Sequence, residues 1–331
     1  MKTTFLSAAI VFLTALPAFS AGKTEVCSVK SKGKTWEYIL HVPGGYDPKG
    51  WKFHRITCLV HGVGGEGRQF GENEDWRKWA DDNNVFLLCP TFTNKKEGVN
   101  DEWYWNADQG SGDVFIDMAT DAGKKYRVYP GQFLTFGFSG GAQFSHKFAP
   151  YKPELVAAYA FANAGMVDQP DKKLVGLPVL VICGEADAGQ ADRIGKARQY
   201  YDNATKLGMR PVWRSYPGVE HALTAEGTRL AQEFLKYHLV RTEPITELMY
   251  AKLIKDAQAK VGYKPETPKP GARPKPPVPF LQVNPAFAGN SADWTYYDLK
   301  DKRAQLIPPT KIVYLPSKEV ADAWGKPAAA K

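Results

Sequence analysis

Between residues 26 and 240 the chain alternates short apolar, β-rich runs with longer amphipathic stretches. VCSVKSKGKTWEYILHVP (26–43) shows strand-like alternation broken by Lys32-Gly33, which predicts an opening hairpin turned at that pair. RITCLVHG, NVFLLCPTF, QFLTFGFS, VAAYAFANAG, PVLVICGEAD and PVWRSYPG then read as six successive strands. Several of them are apolar without alternation, as strands buried on both faces of a parallel sheet are. The intervening segments 67–84, 111–126, 141–151, 191–208 and 225–240 have helical spacing and read as crossover helices. Strand and helix in alternation predict an α/β fold, a mostly parallel central sheet of about eight strands flanked by helices.

After Val240 the pattern changes. Residues 243–262 carry apolar positions at helical spacing, and 264–285 are proline-rich, which predicts a helical and then extended C-terminal extension over 241–331. Near its end, TKIVYLPSKEVADAWG reads as a short strand and then a helix capped by Ser317 and stopped at Gly325. The first 21 residues differ in kind: Lys2, an apolar run from Phe5 to Leu16, Pro17, then small residues at Ala18 and Ser20 read as an export signal cut after Ser20 or Ala21. That places the protein outside the cytoplasm, secreted or periplasmic, without a stable membrane anchor. The catalytic body then spans 22–240.

The net charge of +8 would suggest nucleic acid, but its distribution excludes that class. The extension carries 15 Lys and Arg against 9 Asp and Glu, so once Lys2 is set aside the body is left near +1. Cys27, Cys58, Cys89 and Cys183 show no zinc-like spacing, and three of them sit in apolar runs where thiols are inert; a single disulfide among the four is compatible with export.

Candidate chemistry centres on GFSGG. A serine between glycines, after the run FLTF and before a helical stretch opening on small residues, is the pattern of a nucleophile on a strained strand-to-helix turn. Such a serine needs a base, and the partners should follow in the order acid, then histidine, on loops after later strands. His221, in a loop after PVWRSYPG, fits. His146 lies in the helix leaving the turn and should point away, and His238, inside the last helix, should be a helical surface or packing residue. Asp187 follows a buried strand and is the preferred acid over Glu185, Asp168 and Glu220. An oxyanion hole should use the backbone N–H of Gly140 and that of Val63, with Gly62 second, in the glycine-rich loop after the first buried strand; His61 should brace that loop. The same glycines lack the spacing of a nucleotide-binding loop. Trp103, Tyr104 and Trp105 fall in a loop between strand and helix, where they either rim the site and stack on substrate or pack the loop onto the body.

HGVGG, GFSGG, GEAD and GVEHA, in that order over about residues 36–240, resemble the α/β-hydrolase superfamily. More narrowly, they resemble the secreted esterases that include feruloyl esterases and polyhydroxybutyrate-depolymerase-like proteins. The resemblance implies a triad of Ser139, Asp187 and His221, an acyl-enzyme intermediate, no metal or organic cofactor, and an ester substrate, small or polymer-linked. Gly140 stands where these families more often show alanine, and Val63 where the depolymerases often carry cysteine. The expected function is a serine carboxylesterase acting on feruloyl or acetyl esters of polysaccharides. The other readings are a polyester depolymerase, a prolyl-oligopeptidase-like peptidase, for which no propeller-sized domain is present, and an inactive envelope-binding protein.

Overall fold

The computed structural model describes residues 21–50, 53–92, 104–129, 131–187, 192–241 and 284–329. The expected export signal, the helix over 243–262, nearly all of the proline-rich stretch, and Trp103 lie outside the described residues.

The hairpin forms as read: β1 (Lys23–Ser31) and β2 (Lys34–Val42) pair antiparallel around Lys32 and Gly33. Both turn residues have positive φ, 50° and 78°, the geometry that suits a two-residue hairpin turn. The six apolar runs become β3 (Ile56–Val60), β4 (Phe86–Thr91), β5 (Phe133–Phe138), β6 (Val156–Ala162), β7 (Val179–Gly184) and β8 (Val212–Tyr216). They make an eight-stranded sheet in the order β1-β2-β4-β3-β5-β6-β7-β8. From β4 through β8 every pairing is parallel; only β1 and β2 run against their neighbours. The chain leaves β3 toward β4 on one side and resumes at β5 on the other. That reversal opens a crevice at the carboxyl ends of β3 and β5.

The crossover elements are α1 (Arg68–Gly71), α2 (Glu74–Asn83), α3 (Ser111–Lys125), α4 (Gly140–Tyr151), α5 (Arg193–Lys206) and α6 (Ala225–Arg241). The single helix expected over 67–84 is two: Asn73 turns extended and its side chain accepts the Trp76 amide, starting α2 afresh. The four cysteines are buried and unbonded to one another, and burial pushes the Cys183 thiol up to about 12.

The end of the chain holds more order than its sequence suggests. Besides the expected strand (β11, Ile312–Leu315) and Ser317-capped helix (α7, Lys318–Trp324), it forms β9 (Phe287–Asn290), β10 (Thr295–Asp298) and β12 (Lys326–Pro327). Together these build a second sheet, β11-β9-β10-β12. Its strands are two to four residues long, too short for alternation to register in the sequence. This unit packs against β8 and α5. Trp324 is fully buried and its indole N–H donates to the Trp213 carbonyl at 2.6 Å, Tyr201 donates its hydroxyl to the Ile312 carbonyl at 2.8 Å, and the Arg214 guanidinium lies 3.9 Å from the Trp294 ring centre.

Candidate active site

Ser139 closes β5 and opens α4 with φ 56° and ψ −115°, a conformation that costs an ordinary L-residue of order 1–3 kcal/mol. Parallel pairing on both sides of β5 and close packing on α4 hold it there. A Cβ at Gly141 would run into the carbonyl of Val60 on β3, so the helix can approach the sheet this closely only with glycine at that position.

The serine hydroxyl meets His221 Nε2 at 2.9 Å, and His221 Nδ1 meets Asp187 Oδ2 at 2.8 Å. An ionised carboxylate only accepts, so Nδ1 carries the proton and Nε2 is left to accept from Ser139. The three residues come from the ends of β5, β7 and the loop after β8. The last two loops are stitched together, Glu185 N to Tyr216 O at 3.0 Å and Ala186 N to Val219 O at 2.9 Å, which fixes the histidine over the serine. The Phe138 ring lies 5.0 Å from the imidazole and supports its face.

Asp187 is 3% exposed. Burial pushes its carboxyl upward, but hydrogen bonds from His221 and Asn163, then the charges of His221 and Arg193, outweigh it and hold the carboxyl below its ordinary value. Asn163 Nδ2 donates to Oδ2 at 2.7 Å, and Arg193 donates to Oδ1 at 3.1 Å. Sequence reasoning missed both residues. Asn163 had a signal in hindsight: it directly follows β6 and takes φ 56°, which asparagine tolerates better than most side chains. Arg193 had none, since the sequence does not say which carboxylate a long arginine side chain reaches.

The glycine-rich loop lies beside the serine. Gly62 to Gly65 form a turn closed by Gly65 N to Gly62 O at 3.0 Å, with φ 75° at Gly64 and Val63 at its outer corner. A Cβ built on Gly140 would lie 2.8 Å from Val63 Cγ2, and one on Gly62 3.3 Å from Ser139 Cβ, so Val63, Gly140 and Ser139 share one small volume. The Gly140 amide is in the first turn of α4, where helical amides have no partner within the helix. His61 braces the loop as expected: Nδ1–H donates to Gly62 O at 2.7 Å and Nε2 accepts from Phe92 N at 3.3 Å, and burial lowers its pKa.

In the aromatic loop, Tyr104 takes the packing role and not the rim role assigned to it as a substrate contact. Tyr104 is 1% exposed, stacked on Phe92 at 5.3 Å, and its hydroxyl donates to the His61 carbonyl at 2.9 Å. It supports the glycine-rich loop from beneath and has no face to offer a substrate. Trp105 is half-buried and edge-on to Tyr104 at 5.7 Å. The rejected acids and bases are engaged elsewhere. His146 bonds Ala142 O at 3.2 Å and Asp168 N at 3.0 Å, Glu185 accepts from Ser215 at 2.7 Å, and Asp168 pairs with Lys147 at 3.3 Å. His238 is buried against Phe234, and Glu220 is exposed. Among the described residues no group of three or more His, Cys, Asp or Glu could hold a metal ion, and no helix is long and apolar enough to cross a membrane.

A parallel sheet carrying serine, aspartate and histidine in that order at its carboxyl edge is the α/β-hydrolase fold. Solved structures bear out the architecture. A ferulic acid esterase superposes with a TM-score of 0.56 at 15% identity, over 67% of this chain and 99% of its own. An S-formylglutathione hydrolase from Agrobacterium tumefaciens gives 0.54 at 14%, over 69% and 98%. A putative dipeptidyl aminopeptidase IV from Bacteroides ovatus gives 0.52 at 12%, over 67% of this chain and 36% of its own. No protein-family model matches the sequence, and no curated protein sequence matches it.

Proposed function

We propose that the protein is a serine carboxylesterase working through an acyl-enzyme on Ser139. The observation that carries this reading is the continuous hydrogen-bonded chain from Ser139 Oγ through His221 to the buried Asp187. As Oγ attacks the ester carbonyl, His221 Nε2 takes its proton, and the carbonyl electron pair moves to an oxyanion held by the Val63 and Gly140 amides. Collapse breaks the bond to the alcohol, which leaves with the proton from His221. Water then enters, activated in the same way, and releases the acid and free Ser139. Asp187 stays ionised throughout, keeping Nδ1 protonated and stabilising the imidazolium.

We assign esters of polysaccharides, feruloyl or acetyl, as the substrate class. Val63 is 65% and Met166 43% exposed, on loops after β3 and β6, the strands that flank β5. Val63 shares a small volume with Gly140 and Ser139, and half-buried Phe138 adjoins Ser139, so the serine has apolar neighbours suited to an acyl chain or ring. An exported protein would meet such polymers outside the cytoplasm. The fold serves esterases and peptidases alike, so the assignment is tested by rate: kcat/KM on feruloyl and acetyl aryl esters should exceed that on short polyesters and on aminoacyl amides. Faster amide than ester cleavage would assign a peptidase instead.

A further inference from the structure

Arg193 is the first residue of α5, where the helix dipole disfavours a cation, and its helix start is already served by Asp192, whose carboxylate accepts the Gly195 amide at 3.2 Å. The arginine therefore does nothing for its own helix. Its side chain instead turns back to Asp187, NH1 to Oδ1 at 3.1 Å, on the oxygen that His221 does not use. The other oxygen is shared by His221 and Asn163, at 2.8 and 2.7 Å. Without Arg193, Oδ1 would be a buried carboxylate oxygen with no donor among the described residues, a costly state that the group relieves by taking up a proton or turning.

We propose that Arg193 is a positioning residue of this site: it keeps Asp187 ionised and its Oδ2 aimed at His221, and so lets the Asp187–His221 unit hold off its first proton to lower pH. The proposal rests on the reading of Ser139, His221 and Asp187 as the reacting unit. Removing a positive charge from beside such a unit makes its protonation easier, whichever of the two residues the proton resides on. The charged and titratable groups on the elements around the pair include Asp192 and Lys196 of α5, Glu185 after β7, Arg214 and Tyr216 of β8, Glu220 beside His221, Glu226 at the start of α6, Asp168 with Lys147, and the Cys183 thiol. None of them takes Arg193's place on Oδ1.

The test compares wild type, Arg193→Gln, Arg193→Lys and Arg193→Ala on one aryl ester across pH. The acid limb of kcat/KM should move up by about one pH unit in Arg193→Gln, and Arg193→Lys should return it most of the way. In Arg193→Ala, added guanidinium ion should restore kcat several-fold while leaving KM in place, which a role confined to folding would not allow. Limbs that coincide in wild type and Arg193→Gln, or no response of Arg193→Ala to guanidinium, would overturn the proposal. If the Gln variant does not fold, the guanidinium response decides alone. An active wild type with no such differences sinks only this inference; ester hydrolysis retained by Ser139→Ala sinks the reading beneath it.

Discussion

At the scale of single residues, Ser139, Asp187 and His221, the trio proposed to react, could be picked out because each lies on a loop within a few residues of a strand's end, and strand ends are what a sequence marks best. Of their supports, His61 could be read from its place after β3, but Asn163 and Arg193 could not. For Tyr104, rim and packing were equally open, because polarity and loop position say nothing about which way a ring turns; in the fold it is driven under the glycine-rich loop by stacking on Phe92 and the bond to His61 O. That burial also accounts for a glycine at position 140. A Cβ there would lie 2.5 Å from the Tyr104 hydroxyl and 2.8 Å from Val63 Cγ2. Gly140→Ala should therefore lower kcat/KM by roughly tenfold, the kinetic equivalent of 1–2 kcal/mol of overpacking, and Tyr104→Phe in the same chain should recover part of it. Steady-state kinetics of the two singles and the double measure this; losses that simply add would show that the phenol is not the obstruction.

At the scale of elements, α4 does two things: its start presents Ser139, and its second turn ties the helix to the loop after β6 through His146. That imidazole bonds Ala142 O within the helix and the Asp168 amide across the loop, and burial lowers its pKa to about 4. A histidine held neutral in the fold leaves the unfolded chain with more bound protons between that value and the ordinary 6.5. Its contribution is complete above pH 6.5 and is lost progressively as pH falls toward 4. Thermal melts of wild type and His146→Gln should show the wild type losing the greater number of degrees over that interval; parallel curves would remove His146 as the source. The crossover elements themselves followed from spacing. The break between α1 and α2 did not, because it depends on one asparagine choosing to cap a new helix rather than continue the old one.

At the scale of the whole molecule, the second sheet is the part the sequence concealed. Its strands are too short to show a period, and its core is shared with the body: Val313, Leu315, Val320, Ala321 and Trp324 join the cluster formed by the main sheet. Trp324 contributes most, with no exposed surface and its N–H on the Trp213 carbonyl of β8. Trp324→Ala should cost about 3–5 kcal/mol and expose the chain beyond residue 284 to protease, read by melting temperature and limited proteolysis. A variant with unchanged melting and cleavage would show that the unit does not hold to β8. β8 also leads into the loop bearing His221, so the same packing bears on the site at its far end. All of it converges on one oxygen atom. Treating the folded protein with a fluorophosphonate and locating the adduct by peptide mass spectrometry should place a single modification on Ser139, absent after Ser139→Ala and strongly slowed in His221→Ala; an adduct on another residue, or one that survives Ser139→Ala, would contradict the account.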